Sequence, residues 1–167
     1  MNNNIVLAGF MGTGKTTVAR QVSIRLGWAF VDTDVEIEHR AGRRIPEIFA
    51  QEGEAAFRRL EAEICIHAAA GRDQVISTGG GALLNPAVVE AFSAHSLIIC
   101  LTCDLDEIIR RVGSEHDRPL FSADRDKLAA RLASRQEQYD RLPHQIDTTH
   151  CTPAQAAEKV IELWQQS

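Results

Sequence analysis

The sequence contains few aromatic residues and few cysteines. Aromatic side chains account for 5% of the 167 residues, and the four cysteines are scattered along the chain. Four cysteines so spaced do not form the framework of a disulfide-stabilised secreted domain. Cys100 and Cys103 have the C-x-x-C spacing, but no second pair accompanies them. We therefore interpret them as the end of a strand and the turn after it; a redox dithiol is the alternative.

Long apolar runs and an excess of basic residues are also absent. No segment reaches the roughly 18 consecutive apolar residues that a membrane span requires, and the first residues lack the basic segment of a signal peptide. The chain has 18 Lys and Arg against 23 Asp and Glu, a net charge of −5. A nucleic-acid-binding domain usually has a basic face. We therefore expect a cytoplasmic protein without membrane or nucleic-acid partners.

The length and the order of the apolar segments predict one α/β domain spanning residues 1–167. Apolar segments rich in β-branched residues predict strands at 4–8, 28–31, 74–78, 96–101 and, more weakly, 145–148. Helical periodicity predicts helices at 15–26, 33–41, from 46 onward, and at 54–70, 86–93, 104–112, 125–142 and 153–164. Because strands alternate with helices and no two-residue hairpin joins them, we expect a three-layer fold in which helices flank a five-stranded parallel sheet. Ligands bind such sheets at the carboxyl ends of the strands.

A phosphate-binding loop follows the first predicted strand. The segment from Gly9 to Thr16 reads GFMGTGKT and matches G-x-x-x-x-G-K-[ST] directly before a predicted helix. Its backbone N–H groups and the helix N-terminus can surround phosphate oxygens. The Lys15 ammonium suits the β- and γ-phosphates, and the Thr16 hydroxyl suits Mg²⁺. The motif predicts a nucleoside triphosphate with Mg²⁺, held by Gly12, Thr13, Gly14, Lys15, Thr16 and Thr17.

Two carboxylates end the second predicted strand. Asp32 and Asp34 are separated by one residue, so one can face a metal ion while the other faces an acceptor hydroxyl. We expect Asp32 to be an outer-shell partner of Mg²⁺ and Asp34 to orient or deprotonate the hydroxyl. The alternative is that Asp32 or Thr33 only caps the next helix.

Three further segments have functional and structural interpretations. Arg58 and Glu61 share one face of a predicted helix, either as part of a site or as a surface ion pair. The glycines at 79–81 end the third strand and suit either a close ligand or an ordinary loop. The polar segment 113–122 contains Arg118 and is interpreted as a mobile lid rather than a plain surface loop.

Taken together, these motifs carry a family resemblance. GFMGTGKTT, FVDTD, IPEIF, GEAAFRRLE, STGGG and DRPLF occur in this order along nearly the whole chain. The set resembles the shikimate kinase family, P-loop enzymes with a nucleoside-monophosphate-kinase-like fold that act in aromatic amino-acid and chorismate biosynthesis. The resemblance implies transfer of a phosphoryl group from MgATP to the 3-hydroxyl of shikimate, giving ADP and 3-phosphoshikimate. It also implies substrate-binding helices at about 33–61, and we expect a monomer.

The resemblance also implies roles for individual residues. On the nucleotide side, Lys15 and Thr16 would hold ATP and Mg²⁺, Asp32 would support the metal, Arg118 would reach the phosphates, and Arg110 would lie against adenine. On the acceptor side, the implied residues are Asp34 at the hydroxyls, Arg58 and Arg135 at the carboxylate, Glu61 beside Arg58, and Gly79, Gly80 and Gly81 along the ring.

The sequence departs from the family pattern at one place and, as that family permits, lacks an aspartate that is common in other P-loop enzymes. Pro143 and His144 stand where the family prefers a small residue after Tyr139, so we expect the helix to end there and the adenine side to be rearranged. The third strand ends in Ser77 and Thr78 rather than an aspartate, which leaves the metal to Asp32.

Two other functions stay open from the sequence alone. One is a kinase of another small hydroxy acid, such as gluconate or an aminated shikimate. The other is a nucleotide-binding switch without turnover.

Overall fold

A computed structural model describes residues 2–113 and 125–167. The strands are β1 (Asn4–Gly9), β2 (Ala29–Asp32), β3 (Gln74–Ser77), β4 (Ser96–Thr102) and β5 (His144–Asp147). The helices are α1 (Lys15–Leu26), α2 (Thr33–Ala41), α3 (Ile45–Ala69), α4 (Pro86–Ser93), α5 (Leu105–Gly113), α6 (Arg125–Asp140) and α7 (Pro153–Gln165), with a 3₁₀ turn at Ala82–Leu84. The predicted lid, with Arg118, lies outside the described residues except for Gly113.

The strands form one parallel sheet in the order β2-β3-β1-β4-β5. β1 lies at the centre, where all six of its residues are buried. A strand with parallel neighbours and helices on both faces is buried on both sides, which explains the apolar run from Ile5 to Ala8. The predicted α/β architecture is confirmed.

Side chains of β1 alternate between two cores. Ile5 and Leu7 pack with α1 and α7, whereas Val6 and Ala8 pack with α3 and α4. Each is at most 1% exposed. Because successive side chains of a strand point to opposite faces, the central strand joins both helical layers to the sheet. It also fixes the position of the loop that follows Gly9.

Some element boundaries differ from the predicted ones. Helices were predicted from 46 and again over 54–70, and these are joined as α3, with Gly53 at φ 82° interrupting the helical backbone. α6 ends at Asp140 rather than 142, because the ring of Pro143 disfavours the helical conformation at the residue before it. β4 contains Cys100, as predicted, and ends at Thr102, one residue later than predicted and directly before Cys103.

Over the ranges 2–113 and 125–167, none of the helices combines the length and the apolar character needed to cross a bilayer.

Candidate active site

A cavity of about 820 Å³ opens at the carboxyl ends of the strands. It lies between the β1–α1 loop, the ends of β2 and β3, and helices α3, α5 and α6. Every predicted site residue within the described ranges lines it: Gly12, Thr13, Gly14, Lys15, Thr16, Thr17, Asp32, Asp34, Arg58, Glu61, Gly79, Gly80, Gly81, Arg110 and Arg135. Residues separated by up to 123 positions thus meet in one space.

The phosphate-binding loop is held closed by bonds to its own backbone. The Thr13 hydroxyl and the Lys15 ammonium each donate to the Phe10 carbonyl at 2.8 Å. Gly12 has φ 76°, and a Cβ atom at this position would lie 2.8 Å from Val112 Cγ2. The loop therefore requires glycine here both for its backbone conformation and for contact with α5.

Asp32 connects the loop to helix α2. Its Oδ2 accepts from the Thr16 hydroxyl at 3.0 Å, and its Oδ1 accepts from the backbone N–H of Asp34 at 3.1 Å. The Thr16 Oγ1 also lies 3.3 Å from Ser77 Oγ. Asp32 is thus an N-cap and a neighbour of the loop hydroxyl at once, so the two interpretations made from the sequence are compatible.

Two carboxylates meet beside Gly79. A Cβ atom on Gly79 would lie 2.8 Å from both Asp34 Oδ1 and Glu61 Oε1. Glu61 is 3% exposed. Burial raises the pKa of Glu61, and the bond from Arg58 opposes this shift. The glycine is what lets both carboxylates approach the end of β3.

Arg58 lies at the other end of this glycine segment. Its Nη1 donates to Glu61 Oε2 at 2.6 Å, and Glu54 lies within 3.3 Å of Nη2. Burial opposes the charge of Arg58, but the bonds and charges of Glu61 and Glu54 outweigh burial and raise its pKa. A Cβ atom on Gly81 would lie 2.6 Å from Nη1. The guanidinium is therefore held directly against the backbone of Gly81.

Arg135 approaches the same segment from α6. Its Nη1 donates to the Gly80 carbonyl at 3.1 Å, and its guanidinium lies 5.6 Å from the centre of the Phe10 ring. Arg135 thus contacts this segment at Gly80, and Arg58 contacts it at Gly81. A pair of guanidinium groups around one backbone segment can bind a small carboxylate.

The arginines of α5 differ in their surroundings. Arg110 is 73% exposed and pairs with Glu107. Arg111 is 24% exposed and donates to the Gly12 carbonyl at 3.4 Å and the Thr148 carbonyl at 2.6 Å. Arg111 therefore connects the phosphate-binding loop to the β5–α7 loop, whereas the role of Arg110 at adenine stays a prediction.

Sequence reasoning missed Arg111, although the helical period contained a signal for it. Ile108 and Val112 form the buried side of α5. At 3.6 residues per turn, Arg111 falls about 60° from Ile108 and Arg110 about 160° away. Arg111 thus borders the buried side.

The β5–α7 loop is also anchored to the phosphate-binding loop. The Thr148 hydroxyl lies 3.0 Å from the Thr13 carbonyl and 2.9 Å from that of Thr102. The Thr149 hydroxyl and backbone N–H donate to Asp147 Oδ1, and these bonds lower the pKa of Asp147. Pro143 immediately precedes β5, which pairs with β4 from His144 onward.

Other cavity residues were given no role from the sequence. Phe49 and Phe57 both line the cavity, with ring centres 4.6 Å apart. Apolar residues at helical spacing are expected in any core, so their sequence gave no reason to assign them to a site. Arg131 lines the cavity one turn before Arg135.

The phosphate-binding loop follows the central strand of the sheet, and two carboxylates and two arginines line the same cavity. This strand order and this site define a P-loop kinase of small molecules. A family model described as "Shikimate kinase" matches residues 11–165. The chain belongs to the shikimate kinase family. The predicted family and the enzymatic function are thereby confirmed.

Individual relatives agree with this assignment. The shikimate kinase of Pelotomaculum thermopropionicum is 42% identical over 96% of this chain and 94% of its own length. That of Thermoanaerobacter pseudethanolicus is 39% identical over 96% of this chain and 95% of its own. A structure of shikimate kinase from Acinetobacter baumannii in complex with shikimate has a TM-score of 0.92 at 31% identity and covers 99% of this chain and 94% of that one.

Proposed function

We propose that this chain transfers the γ-phosphoryl group of ATP to the 3-hydroxyl of shikimate, giving ADP and 3-phosphoshikimate. The observation that carries this proposal is the shared cavity of a phosphate-binding loop and two arginines around residues 79–81. Shikimate has a carboxylate and hydroxyl groups on one small ring, so it offers a partner to the arginines and another to the carboxylates. The shikimate complex of the Acinetobacter baumannii relative supports this choice.

The nucleotide half of the site consists of Gly12–Thr17. Backbone N–H groups and the N-terminus of α1 suit phosphate oxygens, and Lys15 adds a positive charge. Thr16 Oγ1 and Asp32 Oδ2, 3.0 Å apart, are hard oxygen donors of the kind that Mg²⁺ takes beside phosphate oxygens. When bound, Mg²⁺ would offset charge on the phosphates. Thr16 would hold it directly and Asp32 from the outer shell.

In the acceptor half, Arg58 and Arg135 would bind the substrate carboxylate. Planar guanidinium groups match a carboxylate by two parallel hydrogen bonds. Glu61 fixes the direction of Arg58 through the 2.6 Å bond. Residues 79–81 would contact the ring through their backbone, since a side chain at 79 or 81 would collide with these charged groups.

Asp34 would act on the attacking hydroxyl. Its carboxylate lies near Gly79, in the same cavity as Lys15. Asp34 would accept a hydrogen bond from the 3-hydroxyl, align its oxygen with the γ-phosphorus and take up the proton as the bond to phosphorus forms. The contact of Arg118 with the phosphates and the closing of the lid at 113–122 stay predictions.

A coupled assay of ADP release tests the proposed function. Shikimate, gluconate and an aminated shikimate are offered at equal concentrations, and the product of the preferred acceptor is identified by ³¹P NMR. We expect kcat/KM to be highest for shikimate, with the phosphate on the 3-hydroxyl. A higher value for gluconate would contradict the proposal. Lys15→Met should abolish turnover at saturating shikimate and serves as the inactive control.

We also propose that the chain works as a monomer, since its own residues supply the phosphate-binding loop, both carboxylates and both arginines of the site. Light scattering after gel filtration measures this. A cytoplasmic location stays a prediction.

A further inference from the structure

The hydroxyl of Tyr139 contacts the glycine segment that separates the two arginines. Tyr139 lies on α6, and its side chain packs with Phe10, Cys100 and Leu128 in a core cluster. The residue is 5% exposed. Its hydroxyl nevertheless leaves this cluster and donates to the Gly80 carbonyl at 2.6 Å. A phenol in that position is more than core filling.

The same carbonyl oxygen accepts a second hydrogen bond. Arg135 Nη1 donates to it at 3.1 Å, and Arg135 precedes Tyr139 by one helical turn. Two donors on one carbonyl fix the orientation of the Gly80–Gly81 peptide. Because a trans peptide directs its N–H opposite to its carbonyl, the N–H of Gly81 is turned away from α6. Gly81 in turn lies directly against Arg58.

The phenol suits this role chemically. Burial raises the pKa of Tyr139 to about 12, and the charge and the hydrogen bond of Arg135 oppose the shift only in part. The hydroxyl therefore keeps its proton near neutral pH and stays a donor. The carbonyls of Gly79 and Gly81 accept hydrogen bonds from the 3₁₀ turn that follows, whereas the Gly80 carbonyl between them is held by α6.

We propose that Tyr139 is a positioning residue: its hydroxyl holds the Gly80–Gly81 peptide, and with it Arg135, in the geometry that receives the acceptor carboxylate. This inference rests on the proposed function. It adds a residue that acts through its neighbours and does not itself touch the substrate.

Tyr139→Phe tests the inference, since it removes only the hydroxyl and keeps the ring in the core. With the loss of about one hydrogen bond, KM for shikimate should rise between about threefold and tenfold. The value of kcat and KM for ATP should change less than about twofold. The methyl ester of shikimate has no carboxylate charge, so wild type and Tyr139→Phe should use it about equally.

Ser23→Ala is the matched control. The buried Ser23 hydroxyl donates to the Arg20 carbonyl at 2.9 Å within α1, and Ser23 does not line the cavity. This variant also loses a hydroxyl-to-carbonyl bond, but KM for shikimate should stay at the wild-type value. The inference would be overturned if KM for shikimate rose equally in both variants, or if it stayed unchanged in Tyr139→Phe. It would also be overturned if Tyr139→Phe used shikimate and its methyl ester equally less well than the wild type does.

A second measurement does not depend on the variant. The sequence contains a single tyrosine, so incorporated 3-fluorotyrosine labels position 139 alone. Its ¹⁹F signal should shift on binding of shikimate and much less on binding of the ester; equal shifts would count against the inference. If the wild-type chain phosphorylates gluconate and not shikimate, the proposed function fails first, and that result is seen before any variant is made.

Discussion

At the scale of single residues, Asp32 serves the fold and the site with different oxygen atoms. Oδ1 caps α2 and Oδ2 accepts from Thr16. A substitution that keeps the cap and removes the charge can therefore separate the two contributions.

Asp32→Asn is that substitution. Asparagine is as good an N-cap as aspartate, so the free energy of unfolding in urea should change by no more than about 1 kcal/mol. The loss of charge should raise the Mg²⁺ concentration needed for half-maximal activity. Asp32→Ala should show both effects. Equal Mg²⁺ dependence in wild type and Asp32→Asn would remove Asp32 from the metal site.

Arg58 and Arg135 should contribute to acceptor binding alone. Each charge-assisted bond is worth about 1.5–3 kcal/mol, so Arg58→Ala or Arg135→Ala should weaken shikimate binding by roughly tenfold to a hundredfold. The affinity for ATP should stay nearly constant. Isothermal titration with both ligands measures this.

Arg141→Ala provides the control just after the end of α6, because Arg141 is exposed and pairs with Glu137 of that helix. It should leave both affinities unchanged. Equal losses of ATP and shikimate binding in Arg135→Ala would contradict the assigned role.

The sequence was sufficient to assign roles to some of these residues and not to others. Arg58 and Arg135 were found because family motifs contain them, and Lys15 because its loop has a fixed spacing. Tyr139 and Phe49 were not assigned, since their contacts with the cavity depend on which side of a helix the fold turns inward. The choice between Arg110 and Arg111 depended in the same way on the buried side of α5.

At the scale of secondary-structure elements, α3 shows that predicting where helices begin and end does not give the angle between them. The helical segments on each side of Gly53 were predicted, but their connection through one residue at φ 82° was not. A glycine inside a helical pattern signals a break without giving the angle between the two parts. That angle sets the direction from which Arg58 and Glu61 approach the cavity.

Gly53→Ala tests this connection. Gly53 has φ 82° and ψ 172°, a conformation that essentially only glycine adopts, so a side chain there should cost about 1–3 kcal/mol of unfolding free energy. Because Arg58 follows within five residues, KM for shikimate should also rise severalfold while KM for ATP stays constant.

Gly27→Ala is the matched control. Gly27 has φ 69° at the end of α1, and neither glycine has an atom within 4 Å of the added Cβ. The control should lose similar stability and keep its KM for shikimate. Equal changes of KM in both variants would show that strain, and not the direction of α3, is responsible.

At the scale of the whole molecule, each substrate should stabilise the chain separately. A ligand at 100 times its Kd adds about 2.7 kcal/mol to the free energy of unfolding. For a chain of this length that corresponds to roughly 5–10 °C in Tm. Thermal unfolding with shikimate and with ADP measures both shifts. In Arg135→Ala, a fixed concentration of shikimate should no longer raise Tm, whereas ADP should still raise it. Loss of both Tm shifts would contradict the division of the cavity into a nucleotide half and an acceptor half.

The position of β1 in the middle of the sheet has an evolutionary consequence. β2 and β3, with α2 and α3, lie on one side of it, and β4 and β5, with α5, lie on the other. A lineage can therefore remodel much of the acceptor side for a new metabolite in the first half, while Arg135 of α6 contributes to that side from the second half. A chimera that exchanges residues 33–85 with those of another hydroxy-acid kinase must preserve the pairing of β3 with β1 and β2, and the bonds from α6 to Gly80.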